Sequence, residues 1–200
     1  RCLTLRILPD NLPRWQDLGL PKPFIELSKK NRGLVLCTGP TGSGKSTSLA
    51  AFINCILETQ KKHILTIEDP IEFEFNHTQN SIIHQREVKR DTKSFTSALK
   101  AALREDPDII YIGEMRDLET IQLAITAAET GHLVLGTLHT SSAAKTVERI
   151  VDVFPADQQE QARLQVSTSL AGIMSQTLCK NKTGKRSLAY ELLINTPAIA

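Results

Sequence analysis

Short apolar runs alternate with amphipathic stretches along most of this chain. Residues 34–37, 64–67, 109–112 and 133–137 are dominated by Leu, Ile and Val and have the length of buried strands. A weaker run at 82–84 reads as an edge strand, and 187–194 returns to the sheet. Between them the spacing predicts helices at 45–59, 94–104, 118–130, 143–151 and 158–176. In the second of these Phe95, Ala98, Leu99 and Ala102 share one face. Near-continuous apolar strands alternating with helices predict an α/β domain with a largely parallel sheet, covered on both faces. In such sheets ligands bind at the carboxyl ends of the strands.

Before residue 24 the pattern is different. Pro9, Pro13, Pro21 and Pro23 disfavour a long helix, so 1–23 reads as a linker or extended lead-in, with a short helix at 25–30. The domain proper is expected to span 24–200. The opening Arg1-Cys2-Leu3-Thr4 carries neither a signal peptide nor an initiator Met, as expected of a fragment of a longer protein.

The phosphate-binding signal is the strongest in the chain. Gly39, Pro40, Thr41, Gly42, Ser43, Gly44, Lys45 and Ser46 fit G-x-x-x-x-G-K-[ST], followed by Thr47. The pattern lies between a strand and a helix, the context it requires. Its glycines let backbone N–H groups face phosphate oxygens, and the helix N-terminus adds a positive dipole. Lys45 can reach the β- and γ-phosphates of ATP, and the Ser46 hydroxyl can ligate Mg²⁺.

Acidic residues stand at two other strand ends. Glu114 follows the run 109–112 and Gly113, which makes it the candidate general base. Gly113 stands where a metal-directing Asp is usual, so that acid is expected from elsewhere. Glu68, Asp69 and Glu72 crowd the end of the second strand, a costly cluster without a cation or positioned water. Glu68 and Asp69 are the candidate metal residues and Glu72 a catalytic candidate. His139 ends the 133–138 segment on the same side, where it can sense the γ-phosphate or steady water. His132 begins that segment and should lie away from the phosphates.

Composition excludes more than it adds. Hydrophobic residues make up 40% and charged residues 23%, the profile of a globular domain, and no apolar run is long enough to span a membrane. A net charge of +2, from 24 basic and 22 acidic residues, argues against a dedicated nucleic-acid surface. The basic stretch 180–186 reads as a solvated turn. Cys2, Cys37, Cys55 and Cys179 show no C-x-x-C spacing, and Cys37 reads as a core residue.

Four segments resemble one family. Residues 39–47, 66–72, 113–120 and 131–140 are similar in order and spacing to the Walker A, Asp box, Walker B and His box of the secretion ATPase superfamily. The segments 85–88, 103–108 and 114–120 are most similar to those of its pilus retraction (twitching motility) ATPases. Assembly and export ATPases of the superfamily carry paired C-x-x-C motifs after the His box, where this chain has only Cys179. The resemblance implies a RecA-like P-loop NTPase core that hydrolyses ATP with Mg²⁺. It implies a homo-hexameric ring, with ATP held between a PAS-like N-terminal domain and this one. It also implies a cytoplasmic location, peripheral at the inner membrane, and an inner-membrane pilus platform protein as partner. Arg6 matches a linker position whose arginine meets the γ-phosphate, while Arg104 and Arg116 can serve interfaces or ion pairs. An accessory retraction ATPase, an assembly or type II secretion ATPase, a RecA-like nucleic-acid motor and a non-hydrolytic nucleotide switch remain as alternatives.

Overall fold

In the computed structural model, residues 11–196 are described. They form one seven-stranded sheet in the order β3-β2-β4-β5-β1-β6-β7. The strands are β1 (Gly33–Thr38), β2 (His63–Glu68), β3 (Ile82–Glu87), β4 (Ile109–Ile112), β5 (Leu133–Leu138), β6 (Leu170–Lys180) and β7 (Arg186–Ile194). β1 to β6 run parallel, and only β7 is antiparallel, paired with β6. The mostly parallel sheet is the expected one, with β3 at its edge.

Strand alternation sorts the core into two layers. Leu34 and Leu36 of β1 and Ile110 and Ile112 of β4 face one cluster, while Val35, Cys37, Ile109 and Tyr111 face the other. The first layer is closed by α4 (Phe95–Ala102), α5 (Leu118–Glu129), α6 (Ala143–Asp152) and α7 (Gln159–Ser169). The second is closed by α3 (Lys45–Thr59), whose Leu49, Phe52, Ile53 and Ile56 are wholly buried. Both faces being covered is why the strands read as continuous apolar runs. Side-chain caps start three helices: Ser94, Asp117 and Ser142 each accept from an amide in the first turn.

Two expectations change. The predicted helix 158–176 stops at Ser169, and Leu170 begins β6. Parallel pairing with β1, from Leu34↔Leu170 to Thr38↔Ser175, decides this segment over local helical preference. The lead-in is also less extended than its prolines suggest. α1 (Trp15–Leu18) is a single turn closed by Gly19 in the left-handed region, with Trp15 and Leu18 packed on the second core layer. α2 (Lys22–Glu26) starts after Pro21 and carries a proline in its first positions, where a missing N–H costs nothing. Residues 180–186 form the exposed β6–β7 turn, as expected.

Phe52 is fully buried, with its ring 5.2 Å from that of Phe24. Phe52→Ala should lower unfolding free energy by about 3–5 kcal/mol, measured by urea denaturation. Truncating the exposed Tyr190 to Ser should change it by no more than about 0.5 kcal/mol.

Candidate active site

The carboxyl ends of β1, β2, β4 and β5 open onto one cavity of about 530 Å³. Lys45, Ser46, Glu68, Asp69, Glu72, Glu114 and His139 all line it, together with Thr41, Gly42, Gly44 and Thr47. The parallel register brings these residues from four separate loops to one place. Arg6 lies outside the described residues. His132 sits at the opposite end of β5, its ring nitrogen against the Ala127 carbonyl.

The loop 39–44 needs its glycines. Gly39, Gly42 and Gly44 have φ of 142°, 79° and 88°, values that L side chains rarely adopt. A Cβ on Gly39 would also stand 2.2 Å from the Gln176 carbonyl oxygen. Gly44 leads directly into α3, so the cavity faces the first-turn N–H groups that have no acceptor within a helix. The Lys45 ammonium donates to the carbonyls of Gly39 (2.9 Å) and Pro40 (3.1 Å). Burial lowers its pKa, opposed by the charges of Glu114 and Glu72 and by Cys37. This concave ring of donors is built for a polyanion.

Glu114 is the centre of an ion cluster. One carboxylate oxygen accepts from Arg116 Nε and lies 3.0 Å from His139 Nε2. Partial burial pushes the Glu114 pKa up, but the hydrogen bond and charge of Arg116, aided by His139 and Lys45, hold it below the ordinary value of 4.5. Glu114 is therefore ionised at neutral pH.

The Glu68–Glu72 segment behaves differently from its acidic neighbour. Burial raises the Glu68 pKa despite donors from the Thr66 hydroxyl (2.6 Å), the Gln85 amide (3.1 Å) and the Glu72 backbone. Asp69 is exposed and paired with Lys89 at 3.4 Å. Gly113 explains the missing acid of β4. A Cβ there would stand 3.1 Å from the Ile67 carbonyl oxygen and 3.3 Å from Glu68 Cα, so β2 closes against a residue without a side chain. Glu68 occupies the neighbourhood that an acid at 113 would need.

Among the described residues no group of three or more His, Cys, Asp or Glu is placed to hold a metal by itself. Mg²⁺ does not require one, since it takes one or two protein ligands and fills its shell with water and phosphate oxygens. The Ser46 hydroxyl and the nearby carboxylates fit that requirement.

Several functional neighbours escaped sequence reading. Thr137 donates to the Gly113 carbonyl at 2.6 Å and lines the cavity, as do Tyr111, Phe95, Leu178 and Arg186. Gln176 lies buried beneath the phosphate loop, donating to the Ser43 carbonyl at 2.6 Å. The apolar run 170–174 was the available signal that this stretch is a strand.

The family model "Type II/IV secretion system protein" matches residues 2–192. The chain belongs to this family. It is 57% identical to the type IV pilus retraction ATPase PilT of Pseudomonas aeruginosa over 196 residues, covering 98% of the chain and 57% of that relative. It is 56% identical to a twitching motility protein of Neisseria gonorrhoeae, covering 98% of the chain and 52% of the relative. The crystal structure of the retraction motor PilT with bound ADP superposes with a TM-score of 0.94 at 58% identity, over 97% of this chain and 56% of that one. The Legionella pneumophila ATPase DotB follows with a TM-score of 0.93 at 35% identity, over 97% and 54%. The chain thus spans about half the length of these family members.

Arg116 is exposed, so its hold on Glu114 should be sensitive to salt. Removing the guanidinium by Arg116→Ala lets the Glu114 pKa rise, so protonation on acidification begins at higher pH. A carboxyl ¹³C NMR titration should show the midpoint moving up at low salt, and moving less in about 1 M NaCl.

Proposed function

We propose that this chain is the Mg²⁺-dependent ATP-hydrolysing core of a type IV pilus retraction motor. The observation that carries the reading is the convergence of Lys45, Glu114 and His139 on one cavity floored by a glycine-rich helix N-terminus. Lys45 and the loop amides bind the phosphates and hold the charge that develops at the γ-phosphoryl group. Water attacks that phosphorus while the bond to the β–γ bridging oxygen breaks; ADP leaves with that bond's electron pair, and the water's proton passes to the released phosphate. Glu114, kept ionised by Arg116, accepts a hydrogen bond from the water. A carboxylate of low pKa is a weak base, so its task is to aim the water rather than to strip it. That suffices for phosphoryl transfer, whose transition state is loose and depends on positioning. His139 fixes Glu114 from the other side. Ser46, with Glu68 or Asp69, would hold Mg²⁺, which would supply charge neutralisation for the phosphates.

A second cavity of about 500 Å³ shares Gly44, Thr47, Leu178 and Arg186 with the first and continues past Leu18, Gly19 and Leu188. This groove is suited to the nucleoside, and it gives the folded lead-in a role. On this reading the ATPase domain begins at about 24, and the preceding linker would bring Arg6 to the γ-phosphate.

Retraction is preferred over assembly because relatives at 57% and 56% identity are named for retraction and twitching. The described cysteines, Cys37, Cys55 and Cys179, are free and form no metal-binding pair. The motor would act as a homo-hexamer on a pilus platform protein, in the cytoplasm and peripheral to the inner membrane. No helix among the described residues is long and apolar enough to cross a membrane.

In the full-length protein Glu114→Ala, which leaves no acceptor to aim the water, should cut ATP turnover on the order of 10²-fold while ATP binding persists. Unimpaired turnover overturns the assignment. Deleting the gene in a piliated cell should leave abundant pili without twitching, whereas loss of pili would point to assembly.

A further inference from the structure

We propose that Gln176 is a positioning residue, which aims the Gly44 N–H at the nucleotide phosphates by holding the Ser43 carbonyl from below. The inference rests on the nucleotide reading of the cavity and names a part of it that carries no motif.

A chain of two hydrogen bonds crosses from β1 through β6 to the loop. The Cys37 thiol donates to Gln176 Oε1 at 3.1 Å, and Gln176 Nε2 donates to the Ser43 carbonyl at 2.6 Å. Both side chains are buried, Gln176 to 3% exposure. Burial pushes the Cys37 thiol up to about 12, so it keeps its proton and can donate to the oxygen end of the amide. The Ser43 carbonyl can only accept, and that fixes which way the amide faces, with its N–H₂ towards the loop.

The peptide plane converts this tether into aim. Ser43 C=O and Gly44 N–H belong to one planar trans peptide and point in opposite directions. Drawing the carbonyl down to Gln176 turns the Gly44 N–H away from the sheet, and Gly44 lines the phosphate cavity. The backbone of the same residue supports the loop as well, since the Gln176 carbonyl occupies the space a side chain on Gly39 would need. A Cβ on Gly44 would come within 3.3 Å of Gln176 Nε2, so the amide is closely fitted under the loop. Within the loop the Lys45 ammonium holds the Gly39 and Pro40 carbonyls, and the Ser43 N–H bonds the Pro40 carbonyl at 3.2 Å, but none of these bonds holds the Ser43 carbonyl. Ser43 Oγ is a buried side-chain polar atom without a hydrogen-bond partner.

The test uses the full-length protein. Gln176→Met keeps the volume and removes both hydrogen bonds, and Gln176→Glu keeps the shape and an acceptor while losing the donor. Each should weaken ATP and ADP binding on the order of tenfold by calorimetry. The turnover rate at saturating ATP should fall by less than about threefold, because the tether acts on phosphate binding. The thermal midpoint without nucleotide should stay within about 3 °C of the parent. Adding Cys37→Val to Gln176→Met should cost no further affinity, since both act through one chain. Parental affinity in both variants overturns the inference alone. Additive losses overturn the Cys37 link. A parent that binds no ATP overturns the nucleotide reading and this inference together.

Discussion

The parallel pairing of β1 between β5 and β6 is the constraint from which the site follows. Gly33 to Thr38 match Leu133 to Leu138 on one side, and Leu34 to Thr38 match Leu170 to Ser175 on the other. Because these strands point the same way, the loop after β1 emerges beside the end of β5 and over the middle of β6. The first of these neighbours supplies His139 and the second Gln176. β4 is tied to β5 and β2 to β4 in the same sense, which brings Glu114 and Glu68 to the same edge. A slip of one residue along any ladder would turn core side chains to the wrong layer. The two apolar layers therefore hold the geometry of the cavity as firmly as they hold the fold.

Charge in the cavity is arranged so that two carboxylates near one another do different things. Glu114 has cationic company in Arg116 and Lys45, with His139 beside it, and is held ionised. Glu68 is more deeply buried, has donors rather than cations around it, and has its pKa raised. Opposed environments of this kind separate roles for chemically identical groups. One carboxylate is held as an anion facing the cavity, while the other ties down the 68–72 loop through Thr66, Gln85 and the Glu72 backbone.

Much of this was legible from local pattern. Apolar strands, helical faces and the G-x-x-x-x-G-K-S loop are short-range signals, and the cavity assembles around the residues they nominate, from Lys45 to Glu114 and His139. What escaped reading depends on distant partners. Residues 170–176 become strand because β1 is beside them, and Gln176 matters because Ser43, 133 positions earlier in the chain, lies above it. The apolar run 170–174 was a local hint of the strand, but nothing local ties Gln176 to Ser43. Arg116 was read as an interface or ion-pair residue, but only the loop geometry after β4 assigns it Glu114 as partner.

Gly113 shows how one absent side chain redistributes a site. An acid at the end of β4 would normally serve the metal, yet a Cβ there would press on Ile67 and Glu68. With glycine, β2 closes against β4, the Gly113 N–H bonds the Ile67 carbonyl at 2.8 Å, and Thr137 bonds the Gly113 carbonyl at 2.6 Å. Three strand ends are stitched together at this point, and Glu68 occupies the space beside β4 that an acidic side chain at 113 would need. The same stitching seats Met115, whose amide bonds the Thr137 carbonyl and whose side chain packs on Gly136. Glu114 is left between these two anchored residues, so its aim is set by backbone pairing before any ion pair contributes. Arg116 and His139 then tune the charge of a carboxylate that the sheet has already placed.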